Sequence, residues 1–147
     1  MKNAKSLRIY IASSFRNLYA VQLLTQALID RGHEVDDWTA LPAPLPSDMP
    51  VSERRERLDA DPTGEIFKFC LTASTHADLV IYLGPSGQDA GWECGAAYMA
   101  GVPVYGLRGP LEAPGTMLYG GAEWFESYPA LIEAVEKLAE AQSAMED

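Results

Sequence analysis

The stretch ADLVIYLGPSGQDAGWECG, residues 77–95, decides the fold of this chain. Its apolar run at positions 80–83 ends in a Gly-Pro pair, which is typical of a parallel strand buried on both faces. The turn that follows contains three glycines that let the backbone approach a ligand closely: Gly84, Gly87 and Gly91. We predict that Glu93 lies in the first turn of the next helix, where the helix dipole favours a charged carboxylate. Such a carboxylate is a candidate nucleophile, although a glutamate that only stabilises the helix N-terminus explains the same residues.

The composition predicts one soluble globular domain over residues 1–147. Hydrophobic residues make up 48% of the chain and charged residues 22%, an ordinary balance for a globular protein with a real core. No apolar run approaches the roughly 20 residues that span a bilayer, so no membrane partner is expected. The two cysteines, Cys70 and Cys94, favour reduced thiols and a cytoplasmic location. His33 and His76 are isolated, so neither a metal nor another cofactor is expected.

The charge distribution argues against a nucleic-acid partner. The net charge is −10, from 11 basic and 21 acidic residues, and the sequence has no basic stripe. A protein of this kind binds polynucleotides poorly because it cannot neutralise the phosphate backbone. Residues 1–16 carry basic residues and no acid, so a small anionic ligand held by Arg16 remains compatible with the sequence.

Strand and helix patterns alternate along the chain. Strands are predicted at 7–12, 33–37, 80–83 and 102–107, and helices at 17–31, 52–58, 63–76, 93–100 and from about 127. This order predicts an α/β fold: a flavodoxin-like or Rossmann-like doubly wound parallel sheet of four to five strands, in three layers. A proline-rich segment at 41–50 is too irregular for a helix or strand and is a candidate lid.

The predicted fold brings two loops together. In the commonest small arrangement the first strand lies between the second and the third, so that a ligand crevice opens between strands one and three. The loop at 13–17 then lies beside residues 86–93 at the carboxyl ends of neighbouring strands. Because both loops carry polar side chains, the sequence predicts a binding site at this crevice.

Several segments resemble the nucleoside 2-deoxyribosyltransferase family, which includes relatives that hydrolyse nucleoside 5′-monophosphates. They are IYIASSFR at 9–16, ADLV at 77–80, GWECGAA at 91–97 and GVPV at 101–104, with a weaker match in GTML at 115–118. Together they span about residues 8–120. The resemblance implies a small-molecule nucleoside or nucleotide as the partner. It also implies a homo-oligomer in which a neighbouring subunit completes the site.

The resemblance implies roles for individual residues. Glu93 matches the family's nucleophile, which attacks the anomeric carbon of the sugar before another base or water captures the (deoxy)ribosyl group. Asp89 is a second candidate catalytic residue that would touch a sugar hydroxyl or the leaving base, although a short acidic side chain also stabilises a turn through its own backbone. The candidate substrate-binding residues are Ser13, Ser14, Arg16, Ser86, Gly87, Gly91 and Thr116.

The first loop is similar to that of the family's phosphate-using members. Those members carry a Ser-x-Arg like Ser14-Phe15-Arg16. A serine-bearing loop at a helix N-terminus presents hydroxyl and N–H groups to an anion, and an arginine adds a bidentate fork. A 5′-phosphate is therefore a predicted ligand group, whereas the plain alternative is that Arg16 is an ordinary surface residue.

The sequence departs from the family where the leaving base should be protonated. Family enzymes carry an aspartate on the helix before the third strand, and the corresponding region here, FKFCL at 67–71, has none. Glu65 and Asp61 lie further upstream. The group that protonates the leaving base is therefore unassigned from the sequence.

Three classes of function remain open. The first is an enzyme that cleaves N-glycosidic bonds, and the second is a non-catalytic domain that senses a nucleotide or binds a partner through the same pocket. The third is an NAD-cleaving domain of the Toll/interleukin-receptor type. A response regulator is disfavoured because no acidic cluster follows the first strand, and SSFR at 13–16 is not a dinucleotide-binding Gly-x-Gly-x-x-Gly turn.

Overall fold

The computed structural model describes residues 5–41, 48–60 and 64–146, and within them five strands form one sheet. All neighbouring strands are parallel, in the order β2-β1-β3-β4-β5. The strands are β1 (Arg8–Ala12), β2 (Glu34–Asp36), β3 (Leu79–Leu83), β4 (Val104–Leu107) and β5 (Glu123–Phe125). The predicted doubly wound parallel α/β fold is confirmed, with the first strand between the second and the third.

Six helices are described on the two sides of this sheet. They are α1 (Leu18–Asp30), α2 (Val51–Asp59), α3 (Glu65–His76), α4 (Gln88–Met99), α5 (Thr116–Gly121) and α6 (Tyr128–Met145). Short 3-10 turns also occur at Phe15–Asn17 and Trp38–Ala40. Right-handed crossovers place α3 and α4 on one face of the sheet and α1 on the other. The result is the predicted three-layer arrangement.

The core lies around the two central strands. All five residues of β3 are buried, as are the last four of β1, because helices cover both faces there. Alternate residues of a strand point to the same face, and the register pairs Tyr10 with Val80 and Ala12 with Tyr82. Tyr10 and Tyr82 therefore point to the same face of the sheet, each with a hydroxyl that requires a polar partner.

The last helix begins where the sequence predicts. The side chain of Ser127 accepts a hydrogen bond from the backbone N–H of Ala130 at 3.3 Å, which caps the N-terminus of α6. Leu131, Val135 and Ala139 follow at a spacing of four residues and are all buried. This apolar stripe fixes the helix against the sheet.

Some predicted elements differ from the observed ones. The helix expected at 93–100 begins five residues earlier, at Gln88. Residues 88–92 are helical even though position 91 is a glycine. The pattern does not reveal α5 and β5, since elements of six and three residues give no usable periodicity. Thr63, predicted to start α3, lies outside the described residues, as do positions 42–47 of the candidate lid.

Candidate active site

A glutamate and a tyrosine form the centre of the candidate site. The hydroxyl of Tyr10, on β1, donates a hydrogen bond to Oε2 of Glu93, on α4. Tyr10 is buried and Glu93 is half-buried. Burial, together with the neighbouring Glu93 carboxylate, raises the pKa of Tyr10 well above its ordinary value, so the tyrosine stays protonated and remains a donor.

The electrostatic state of Glu93 differs from the one predicted. Because α4 begins at Gln88, Glu93 lies in the second helical turn, and Asp89 is the acidic residue of the first turn. The helix dipole acts mainly within the first turn, so the expected stabilisation of a charged Glu93 by the helix N-terminus was wrong. The pKa of Glu93 is raised to about 7, chiefly by burial; the hydrogen bond from Tyr10 lowers it, and the charge of Asp89 adds to the rise.

The loop after β1 is tied directly to the loop after β3. Ser13 donates its hydroxyl hydrogen to the carbonyl of Leu83 at 2.8 Å. The side-chain amide of Asn17 donates to the carbonyl of Pro85 at 2.8 Å and to the hydroxyl of Ser13 at 3.1 Å. Asn17 immediately precedes α1, but its side chain makes no cap hydrogen bond and holds the two loops together instead.

Two predicted binding residues have buried hydroxyls without a partner. Within residues 5–41, 48–60 and 64–146, the hydroxyl oxygens of Ser14 and Ser86 are the only buried side-chain polar atoms that make no hydrogen bond. Such a group costs about 1–3 kcal/mol unless something satisfies it. One serine follows β1 and the other follows β3, so the unsatisfied hydroxyls belong to the two loops of the predicted crevice.

The remaining predicted site residues are more open. Arg16 is exposed in the 3-10 turn after Ser14 and forms no ion pair within the described residues. Asp89 is exposed at the start of α4, and Thr116 is exposed as the first residue of α5. A Cβ added to Gly87 or Gly91 would meet no atom within 4 Å, so the backbone is open at both glycines. Gly84 is different, because a Cβ there would collide with the carboxylate of Glu112.

A cysteine lies where a family aspartate would be expected. Cys70, on α3, is half-buried, and its thiol interacts with the hydroxyl of Tyr10 and with the charges of Glu93 and Asp89. Burial raises the pKa of this thiol, so it is a poor proton donor and a poor nucleophile. Glu65 is exposed at the first residue of α3, and Asp61 lies outside the described residues.

Sequence reasoning missed Tyr10 and the bridging role of Asn17. Tyr10 interrupts an apolar run between Ile9 and Ile11, and a buried tyrosine in such a run must direct its hydroxyl to a polar partner. That signal points to a hydrogen bond but does not identify Glu93 as its acceptor. The role of Asn17 depends on the position of the loop after β3, which local sequence does not specify.

Burial of Glu93 predicts a pH-dependent stability difference between the parent protein and Glu93→Gln. Because the folded-state pKa of about 7 lies above the ordinary 4.5, the folded protein binds a proton that the unfolded chain releases. The parent therefore loses stability as pH rises from 4.5 through 7, and the glutamine variant does not. Urea unfolding should show the variant to be more stable at pH 8 by roughly 1–3 kcal/mol, since one pKa unit is worth about 1.4 kcal/mol.

The exposed Glu65 provides the matched control for this measurement. Glu65→Gln makes the same substitution at an exposed position of α3 and should not reproduce the gain in stability at pH 8. A stability difference between the parent and Glu93→Gln that is the same at pH 4.5 and pH 8 would contradict the shifted pKa.

The strand order, with polar loops joined above β1 and β3, defines a flavodoxin-like doubly wound α/β protein. Among solved structures, the chain is similar to a 2-deoxyribosyltransferase from the psychrotolerant bacterium Bacillus psychrosaccharolyticus, with a TM-score of 0.63 and 26% identity over 84% of this chain and 89% of that one. This comparison confirms the resemblance to the nucleoside 2-deoxyribosyltransferase family that the sequence motifs indicate.

Two more distant structures share the fold. The CMP N-glycosidase BcmB of Clostridium botulinum has a TM-score of 0.56 and 16% identity, over 87% of this chain and 97% of that one. A conserved protein from Enterococcus faecalis has a TM-score of 0.55 and 16% identity, over 91% and 99% respectively. No protein-family model matches the chain, and no curated protein does. In the part of the chain that the structure describes, no helix is long and apolar enough to cross a membrane.

Proposed function

We propose that this protein is an enzyme that cleaves the N-glycosidic bond of a small nucleoside or nucleoside 5′-monophosphate, with Glu93 as the nucleophile. The observation that carries the proposal is the half-buried Glu93 carboxylate, held by the Tyr10 hydroxyl beside the crevice between β1 and β3. The likeness to a deoxyribosyltransferase at 26% identity supports the same chemistry.

The hydrogen bond to Tyr10 orients the nucleophile. Tyr10 engages Oε2 of Glu93, which leaves Oε1 free to attack the anomeric carbon C1′ of the sugar. As the new bond between Oε1 and C1′ forms, the bond from C1′ to the base nitrogen breaks and its electron pair leaves with the base. A half-buried carboxylate is poorly solvated, so it attacks more readily than one in water. Capture of the glycosyl-enzyme by a second base gives transfer, and capture by water gives hydrolysis.

The two unpaired serine hydroxyls are proposed to bind the polar groups of the substrate. Ser14 lies two residues before Arg16 in the loop after β1, a combination that suits a 5′-phosphate, and Ser86 lies on the same loop as the open Gly87. The hydroxyl of Ser13 already donates to Leu83, so Ser13 would contribute mainly to loop geometry. Asp89 is one helical turn before Glu93 on α4, in a position to accept a hydrogen bond from a sugar hydroxyl.

The proposal is tested by incubating the protein with a panel of 2′-deoxynucleosides and nucleoside 5′-monophosphates. Each reaction is run with and without a free acceptor base and analysed by chromatography. Release of base from at least one substrate by the parent, and not by Glu93→Gln, is the expected result. Release that persists in Glu93→Gln would reject the nucleophile, and no release from any member of the panel would reject the enzyme.

Arg16 is expected to bind the 5′-phosphate. Its guanidinium is exposed and unpaired within the described residues, so it is available to an anion. Arg16→Ala should weaken binding of a nucleoside 5′-monophosphate by roughly 1.5–3 kcal/mol, the usual range for a hydrogen bond to a charged group. Binding of the corresponding nucleoside should change little. Titration calorimetry with both ligands checks this, and equal losses for both would mean that Arg16 only orders the loop.

A second candidate function is a non-catalytic nucleotide-binding domain. It is favoured by the absence of a carboxylate from α3 near the Tyr10–Glu93 pair, among the described residues. Such a domain would bind a nucleotide through the same loops and release no base over long incubation. Calorimetry together with the substrate panel distinguishes the two functions.

The protein is also proposed to form a homo-oligomer through the face that carries α3, α4 and α5. Large apolar side chains on this face are unusually exposed: Phe67 (56%), Trp92 (70%), Met99 (84%), Met117 (89%) and Tyr119 (56%). A second copy is the proposed occupant because the family resemblance implies a site completed by a neighbour, and Thr116 lies on this face.

Sedimentation equilibrium should show a dimer or larger assembly that Trp92→Glu dissociates. A monomeric parent would contradict the proposal.

A further inference from the structure

A second tyrosine–glutamate pair lies on the strand next to Tyr10. The hydroxyl of Tyr82, on β3, donates a hydrogen bond to Oε1 of Glu112, in the loop between β4 and α5. The same hydroxyl accepts a hydrogen bond from the backbone N–H of Ser86 at 3.2 Å. A chain of hydrogen bonds thus runs from the amide of Ser86 through Tyr82 to Glu112. The mechanism proposed above uses neither Tyr82 nor Glu112.

The loop of Glu112 is packed closely against the loop of Ser86. The carboxylate of Glu112 occupies the space that a side chain at Gly84 would need. A Cβ added to Gly109 would lie 3.0 Å from Cδ of Pro85, so this second contact is also tight. Glu112 itself is held by the amide of Gly109, which is 3.5 Å from Oε2. The loop of Glu112 and the loop of Ser86 are therefore in close contact at Gly84 and at Gly109. Because both contacts are tight, a shift of one loop displaces the other loop.

Ser86 is the residue that this close contact fixes. Its amide is bonded to Tyr82, whereas its buried hydroxyl has no partner among the described residues. On the opposite side, the carbonyl of Pro85 accepts from Asn17 at 2.8 Å. The backbone around Ser86 is thus held from the β1 side by Asn17 and from β3 by Tyr82, which is itself bonded to Glu112 in the loop after β4. Such two-sided support is what a precisely oriented binding group requires.

We infer that Tyr82 and Glu112 are positioning residues that hold Ser86 so that its hydroxyl contacts the sugar or phosphate of the substrate. The second half of this inference rests on the proposed function, because it takes a nucleoside or nucleotide as the ligand. The first half, that Tyr82 and Glu112 fix the backbone of Ser86, concerns the free protein alone. The two halves can therefore be tested separately.

Hydrogen exchange at the Ser86 amide tests the first half without a substrate. In Tyr82→Phe the amide loses its acceptor, and its exchange rate measured by NMR should rise by on the order of tenfold or more. Glu112→Gln keeps the acceptor but weakens the pair, so a smaller rise is expected. Tyr105→Phe is the matched control, since Tyr105 lies on β4 opposite Ile81 and points to the other face of the sheet. Unchanged exchange in both test variants would overturn the inference.

A double-mutant cycle with cytidine 5′-monophosphate as the probe tests the second half. Ser86→Ala and Tyr82→Phe should each weaken binding by about 3- to 10-fold, as expected for one hydrogen bond. If Tyr82 acts through Ser86, adding Tyr82→Phe to Ser86→Ala should cause no further loss. Losses that multiply would show that Tyr82 acts elsewhere, and this overturns the positioning role. Failure of the parent to bind or cleave any nucleotide would reject the proposed function, while the exchange result would still decide the first half.

Discussion

Glu93→Gln is expected to reduce cleavage of the N-glycosidic bond by several orders of magnitude while the protein remains folded. The substitution keeps the shape of the side chain and an acceptor for the Tyr10 hydroxyl, but it removes the charge that attacks C1′. Loss of a nucleophile removes most of the stabilisation that is specific to the transition state. Single-turnover rates on the best substrate of the panel measure the effect.

Two further variants separate the nucleophile from its surroundings. Asp89→Asn removes a neighbouring charge and should slow the reaction far less than Glu93→Gln, because Asp89 is exposed and its role is limited to binding and electrostatics. Glu140→Gln serves as the control, because Glu140 is exposed on α6 and has no proposed role in the reaction. Mass spectrometry of the quenched parent should find the sugar attached to the peptide that contains Glu93. A Glu93→Gln variant with near-parental turnover would eliminate this assignment.

Cys70→Asp is expected to raise the cleavage rate of substrates with poor leaving bases by about 10²–10⁴-fold, the usual contribution of a general acid. Position 70 is half-buried beside Tyr10 and feels the charges of Glu93 and Asp89. The same burial and the same charges would hold an introduced carboxyl in its protonated form, ready to donate a proton to the departing base. A substrate whose base leaves unaided, such as a 7-methylated purine nucleoside, should gain much less.

Cys70→Asn is the matched control for this experiment. Asparagine has the shape of aspartate but no acidic proton. The variant should therefore show no selective gain in rate on substrates with poor leaving groups. Rates of the parent and both variants are compared on one activated and one ordinary nucleoside. A parent that cleaves both equally fast would show that another group already supplies the proton, with Glu65 as the next candidate among the described residues.

The sheet was predictable from the sequence because long apolar runs and helical periodicity report burial directly. The runs in β1 and β3 correspond to strands that are buried on both faces, and the alternation of elements permits few topologies. The order β2-β1-β3 then follows from the commonest arrangement of such units. The short β5 escapes detection because three residues, of which none is fully buried, carry no periodic signal.

The candidate site was predictable in its location but not in its electrostatics. Ser14 and Ser86 were identified from their loops, and both prove to have unpaired buried hydroxyls. The charge state of Glu93 was predicted from a helix start that was five residues too late, and helix boundaries depend on tertiary contacts as well as on sequence. The partners of Tyr10 and Tyr82 lie 83 and 30 residues away along the chain, so no local pattern specifies them.

The side-chain amide of Asn17 affects how a ligand binds in the crevice between β1 and β3. By joining the loops after β1 and β3, it sets the width of the crevice before any ligand arrives. A preorganised crevice loses little conformational entropy on binding, so more of the contact energy remains as affinity and selectivity. A ligand too bulky for this width would have to break the hydrogen bonds of Asn17 before it could enter. At Gly87 and Gly91 an added Cβ would meet open space, so no neighbouring side chain obstructs the loop there.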